Sequence, residues 1–416
     1  MKNFRKESNM KTLYQTMSDY FKNNPMDWNY YLNELELPKN INDSKEFIYD
    51  FFKYGGKSYL IHDIIPKCSQ LRISHTLSVF FIGLLIKNSS FHDLKIIDDN
   101  QNEIFEFNYL WFLVSLFHDM GYVQEEDWKY KFEYRKKSND FKIIMKNHDF
   151  SINAFRIYHN YNTYYDLGII YPAPCYFRVN PIMPTSKVSF VENNTYYTDK
   201  IIFNNGTIIT RSMYPKSTIF NYLEYCKMNE DINHYDHGIV GGLWLYDSLV
   251  KNYYLSYISL NDDNESIRNF CVNNLHFSIN QFPVFAYLAD CIISHNMWLA
   301  TDYKTIELYK KCGLKQLIPP HAQPIQFDTN PLLFILALAD TLEPIKTCCD
   351  LDSKLNIEPI EVLKNIECVF NYRCISLLFN NEGIFEKMKE KLNGLENWLA
   401  INIQIYENEN KINITF

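Results

Sequence analysis

The sequence predicts a mainly α protein carrying a β-rich insertion and a small α+β element near its C-terminal end. Three observations carry that expectation. From Gln70 to Lys87, the apolar residues Leu77, Phe80, Phe81, Leu84 and Leu85 recur at the spacing of one helix face. From Leu110 to Phe117, seven of eight residues are apolar, a run that reads as a helix buried on all sides. At Asn330-Pro331, an N-cap residue followed by proline opens the apolar stretch LLFILALAD.

The chain has 416 residues, 47% of them hydrophobic, enough for one large core or two smaller ones. Its formal net charge of −8 leaves no global basic surface for duplex nucleic acid. The ten cysteines are scattered without CxxC pairs, so a reduced, cytoplasmic protein is expected. MKNFRKESNMK lacks the apolar core of a signal peptide, and no apolar run reaches the roughly 20 residues of a membrane span.

Taken in order, residues 1–58 read as an N-terminal helical segment. It has an amphipathic stretch at Lys11–Lys22 (Leu13, Met17, Tyr20, Phe21) and a second helix over Ser44–Tyr54. Residues 59–345 read as the helical domain, interrupted by an insertion over 123–235 that is β-rich at about 171–211. Asn88–Asn102 reads as a polar loop leading into the apolar run. Within the insertion, IIF-NNG-TIIT is a hairpin signal. Helices then follow from Asp236, with Gly238, Gly241 and Gly242 permitting close packing, from Pro283 to Trp298, and from Asn330 to about Pro344. Residues 346–416 read as β-β-α-β-β: ECVFN, CISLLFN, a helix over Ile384–Leu399, INIQIYE and KINITF.

The candidate site begins where the apolar run ends, at LFHDMG. Histidine and aspartate at the end of a buried element need compensation, and a bound cation supplies it economically. The dipeptide His-Asp is uninformative by itself, since it also occurs at His62, His92 and His148. What singles out His118-Asp119 is the company of other ionisable residues on apolar helices: His75, His237, His295 and Asp340. Together they form the donor set expected for one or two ions of Mn, Fe or Zn. Each has a plainer reading taken singly. His75 and His295 are then boundary or core histidines, His237 a first-turn residue, and Asp340 a carboxylate paired with an arginine such as Arg72. Adjacent side chains on a helix differ by about 100°, so His118 and Asp119 converge only at a helix end or distortion, which Gly121 could provide.

The order His75 (RISHTLSVFF), His118-Asp119 (LFHDMGY), His237 (DHGIVGG), His295 (IISHN) and Asp340 (ALADTLE) resembles the HD superfamily of metal-dependent phosphohydrolases. The local contexts are similar to those of the HD-GYP phosphodiesterases. The GYP signature is absent, however, and Tyr122 stands where CRISPR-associated HD nucleases carry lysine. The resemblance implies an HD-type helical core and hydrolysis of a phosphate ester by a metal-activated water. It implies Asp119 and His118 as catalytic residues, with His75, His118, Asp119, His237, His295 and Asp340 as metal ligands. Arg72, Lys129 and Tyr122 are the candidate substrate contacts. The expected substrate is a phosphorylated small molecule, above all a nucleotide, cyclic nucleotide or cyclic oligonucleotide. The alternatives are a single-strand nuclease and a regulatory protein that senses a nucleotide without turnover.

Overall fold

The computed structural model describes residues 10–24, 68–90, 94–97, 103–122, 189–190, 197–212, 225, 228, 236–238, 241–242, 245, 282–295, 303–312, 324–349, 355 and 357–416. In chain order the elements are β1 (Lys11–Thr12), α1 (Leu13–Asn23), α2 (Gln70–Ser90), β2 (Lys95–Ile97), β3 (Glu103–Glu106) and α3 (Phe107–Phe117). Next come β4 (Ser189–Phe190), β5 (Tyr197–Phe203), β6 (Ile208–Ser212), α4 (Phe282–Ser294), α5 (Tyr303–Lys311), α6 (Pro331–Leu342) and α7 (Ile345–Cys349). The chain closes with α8 (Pro359–Lys364), β7 (Ile366–Asn371), β8 (Cys374–Phe379), α9 (Glu382–Leu392), β9 (Asn402–Tyr406) and β10 (Lys411–Thr415). Contacts divide the chain into two units: Met1–Phe51, Ser69–Asp93 and Pro324–Phe416 form the first, and Phe52–Cys68 and Leu94–Gln323 the second.

In the first unit, α2 packs against α6 and α7, and an antiparallel sheet runs in the order β1-β7-β8-β10-β9. Strand β8 alternates buried and half-buried residues, so Ile375, Leu377 and Phe379 share the covered face. Across the ladder, Ile375 pairs with Ile414 and Leu377 with Ile412, which are both buried too. Helix α9 covers this apolar row with Ile384, Phe385, Met388 and Leu392, and starts at Asn381, whose side chain accepts from the Ile384 amide. Helix α1 carries the expected buried stripe of Leu13, Met17, Tyr20 and Phe21. Its N-terminus is a capping box in which Thr12 and Gln15 satisfy each other's backbone amides. Helix α6 has the cap read from the sequence: Asn330 accepts from the Leu333 amide, and Pro331 occupies the first turn. Its whole length is buried except Asp340, which is half-buried.

In the second unit, β3-β2-β5-β4 form an antiparallel sheet, with β6 on the other edge of β5. The hairpin expected at IIF-NNG-TIIT is present: Ile201 pairs with Ile209 and Ile202 with Ile208, and Gly206 at φ +90° makes the turn. Helix α3 follows β3 directly, and nine of its eleven residues are buried, as a run with seven apolar residues in eight requires. Helix α4 packs on α3 and on β5, where Tyr287 meets Phe203 edge-on.

The expectation of a mainly α chain with an HD-type helical core is corrected. Of the described residues 59% are helical and 20% lie in strands, making a mixed α/β architecture with two antiparallel sheets. The extra strands arise in stretches too short to carry a readable period. Strands β2 and β3 lie at or beside the expected polar loop, and are three and four residues long. Strand β1 is only two residues, paired with Cys368 and Glu367 of β7. Strands so short show no alternation and are held by partners distant in sequence. The expected helix over Ser44–Tyr54 and the strand at CYFRV lie outside the described residues. So do Lys129 and most of the stretch following Asp236, where His237, Gly238, Gly241, Gly242 and Leu245 are helical.

Candidate metal centre

The second unit brings four of the candidate ligands together. Helix α3 ends at Phe117, and a turn carries His118 and Asp119, closed by the Met120 amide on the Phe117 carbonyl and the Tyr122 amide on the Asp119 carbonyl. This helix end allows adjacent residues to converge. His118 Nε2 lies 3.5 Å from Asp119 Oδ1, His237 Nε2 lies 3.4 Å from the same oxygen, and the Nε2 atoms of His237 and His295 are 3.4 Å apart. His118, Asp119 and His295 are at most 1% exposed and His237 is 9% exposed, so all four are buried.

Backbone geometry sets which nitrogen of each ring is presented. His118 Nδ1 is 2.6 Å from the Ser115 carbonyl, and His295 Nδ1 is 2.6 Å from the Ile292 carbonyl, each three residues back. A ring that donates its Nδ1–H to a carbonyl has its lone pair on Nε2 in the neutral form, and this is how metal-binding histidines are ordinarily oriented. Two nitrogen lone pairs and a carboxylate oxygen aimed at one another repel unless a proton or a cation lies between them. Donors about 2.1 Å from a common ion lie roughly 3.0–3.4 Å apart, close to the separations seen here. Asp119, His237 and His295 thus form a group able to hold a metal ion.

Glycines set how closely the segments approach. A Cβ on Gly121 would lie 2.0 Å from the His237 carbonyl oxygen and 2.9 Å from the Gly241 amide nitrogen. One on Gly242 would lie 2.6 Å from the Ala289 carbonyl of α4. From the sequence alone, Gly121 is expected to distort the end of the helix. Its structural task is to admit the His237 segment against the end of α3, and Gly242 does the same against α4. Tyr122 stacks on the His237 ring, with centroids 3.7 Å apart and planes at 16°.

The first unit holds the remaining pair. His75 on α2 and Asp340 on α6 meet with Nε2 and Oδ1 3.0 Å apart, and His75 Nδ1 lies 2.6 Å from Oε2 of Glu343. Burial pulls the His75 imidazole pKa down, but the Glu343 and Asp340 carboxylates outweigh it and hold the pKa above the usual histidine value. With an ion bound, His75 Nε2 and Asp340 Oδ1 could serve as a ligand pair. Arg72, also on α2, is half-buried, and its backbone amide donates to the Ser69 hydroxyl.

Three further charged residues lie outside the candidate set read from the sequence. Glu343 is fully buried, and its position three residues after Asp340 at a helix end was the available signal. Lys391 on α9 donates to the backbone carbonyls of Asp340 and Glu343, at 3.0 and 2.8 Å. Burial lowers its ammonium pKa against the attraction of those two carboxylates. Asp290 on α4 is a further buried carboxylate, interrupting an apolar helix as Asp340 does. All the described cysteines are free thiols, and no helix among the described residues is long and apolar enough to cross a membrane. No family model, curated protein or solved structure matches this chain.

Proposed function

We propose that this chain is a metal-dependent hydrolase of phosphate esters, acting on a nucleotide, cyclic nucleotide or cyclic oligonucleotide. The observation that carries the proposal is the convergence of three imidazole Nε2 atoms and one carboxylate in a buried cluster, two of the rings being oriented through Nδ1 by their own backbone. Nitrogen and carboxylate donors in that ratio suit Mn, Fe or Zn.

In this reading His118, Asp119, His237 and His295 hold a divalent ion. The order of the ligands along the chain, rather than any distance, assigns His75 and Asp340 to the same chemistry, an order that resembles the HD superfamily. A divalent ion bound there supplies Lewis acidity, both to acidify water and to neutralise phosphoryl oxygens. The chain's own contribution is to fix the donors in a water-poor pocket, with the carbonyls of Ser115 and Ile292 holding two rings in place. Tyr122, half-buried and stacked on the His237 ring, is the candidate substrate contact nearest these ligands.

The test is metal analysis of protein purified without chelators, followed by a phosphatase and phosphodiesterase screen of wild type and Asp119→Ala. One to two transition-metal equivalents and loss of turnover in the variant are expected. Metal-free wild type would end the metal reading, and full activity in the variant would place the chemistry elsewhere. Metal without turnover on any nucleotide would favour a sensing role.

A further inference from the structure

We propose that Glu343 is a positioning residue that fixes the ring of His75 so that Nε2, and not Nδ1, faces Asp340. Glu343 is fully buried, a costly place for a carboxylate unless its oxygens are satisfied. They are satisfied in a fixed pattern. Oε1 accepts from the Ile345 amide at 2.8 Å, and Oε2 accepts from the Lys346 amide at 3.1 Å and faces His75 Nδ1 at 2.6 Å. The two amides open helix α7, so the carboxylate caps one helix while its second oxygen orients a histidine on another.

Just before it in sequence, α6 ends with the Glu343 amide donating to the Ala339 carbonyl. Lys391 grips the carbonyls of both Asp340 and Glu343. The carboxylates on the two sides of the His75 ring therefore come from one short, doubly anchored segment. A 180° flip of the ring would put Cδ2–H against Glu343 and Cε1–H toward Asp340, so both polar contacts would be lost together. Glutamine at 343 would keep the shape but lose one acceptor. Its amide NH2 would confront either a backbone N–H of α7 or the Nδ1–H of His75.

The ring orientation is a property of the protein alone; its consequence for metal binding rests on the function proposed above. Two measurements on the full chain separate these. In metal-free protein, a short charge-assisted hydrogen bond gives a far-downfield Nδ1–H proton resonance, assigned by its loss in His75→Asn. We expect it in wild type and expect it to move upfield in Glu343→Gln. Its absence from wild type, or an unchanged position in the variant, would overturn the proposal whether or not metal binds. If Glu343→Gln does not fold, Glu343→Asp serves, since the shorter carboxylate cannot reach both the amides and the ring. In cobalt titrations, Glu343→Gln is expected to weaken binding about 10- to 100-fold, and to add nothing in a His75→Asn background. An equal loss in both backgrounds would show a merely structural role. A wild type that binds no cobalt would fail the metal reading, leaving the resonance to decide Glu343.

Discussion

His118 and His295 take their orientation from carbonyls three residues back on their own chain, whereas His75 takes its from a carboxylate 268 residues away. The two arrangements present the same atom, Nε2, toward a carboxylate oxygen, but they fail differently. A backbone carbonyl cannot be removed by substitution, so the rings of the second unit lose their orientation only if the local turn is lost. The ring of the first unit depends on one side chain and on the packing that brings α2, α6 and α7 together. Where the second unit is vulnerable is the approach of segments, because His237 arrives on a separate stretch of chain and is admitted by glycines.

That contrast can be broken most severely at Gly121. Gly121→Ala places a methyl group 2.0 Å from the His237 carbonyl oxygen, a backbone atom that can yield only by moving the segment. A loss of about 1–3 kcal/mol or more is expected, as for overpacking elsewhere. It should appear in thermal denaturation, together with weaker cobalt binding in titrations. An unchanged melting temperature would show that the segment accommodates the methyl and that glycine is not what sets the approach.

Next in size is Lys391→Met, which removes the donor shared by the Asp340 and Glu343 carbonyls. Leaving such acceptors without their partner costs about 1–3 kcal/mol, readable in urea unfolding. If the segment anchors the ring as argued, the His75 proton resonance should shift as well. Stability lost without that shift would separate the anchor from the orientation. The smallest effect is expected at Tyr122→Leu. Losing a stacked ring contact is worth about 0.5–1.5 kcal/mol, seen as a few-fold weaker cobalt affinity. A change in nucleotide KM without any change in cobalt affinity would instead make Tyr122 a substrate contact.

Much of the candidate site was legible because its residues violate their surroundings. His118, Asp119, His295 and Asp340 interrupt or end apolar stretches, and a buried polar group in such a run demands a partner whatever the fold. The helices bearing His75, His118 and Asp340 were legible for the same reason, through apolar periodicity or an uninterrupted apolar run, and through the Asn330-Pro331 cap. Glu343 was not legible in the same way. It follows Leu342 and precedes a proline, where a glutamate at a helix end looks like any solvated carboxylate, and only the packing of α2 against α6 and α7 shows it buried. Lys391 reads as one of several lysines on an amphipathic helix, and nothing local marks its ammonium as enclosed.

By itself, the sequence determined the helical runs around the ligands, the hairpin at Asn205-Gly206, the β-β-α-β-β order of the C-terminal stretch and the residues able to bind metal. These follow from side-chain period, turn chemistry and the cost of burying charge, all of which act over a few residues. Tertiary structure alone decided that β1 joins the C-terminal sheet, that β2 and β3 extend the sheet of the insertion, and that the chain is mixed α/β rather than mainly α. Strands of two to four residues have no stable register until a distant partner supplies the other half of the ladder. Tertiary structure also decided which nitrogen of His75 faces Asp340, because a ring's orientation is set by its neighbours in space.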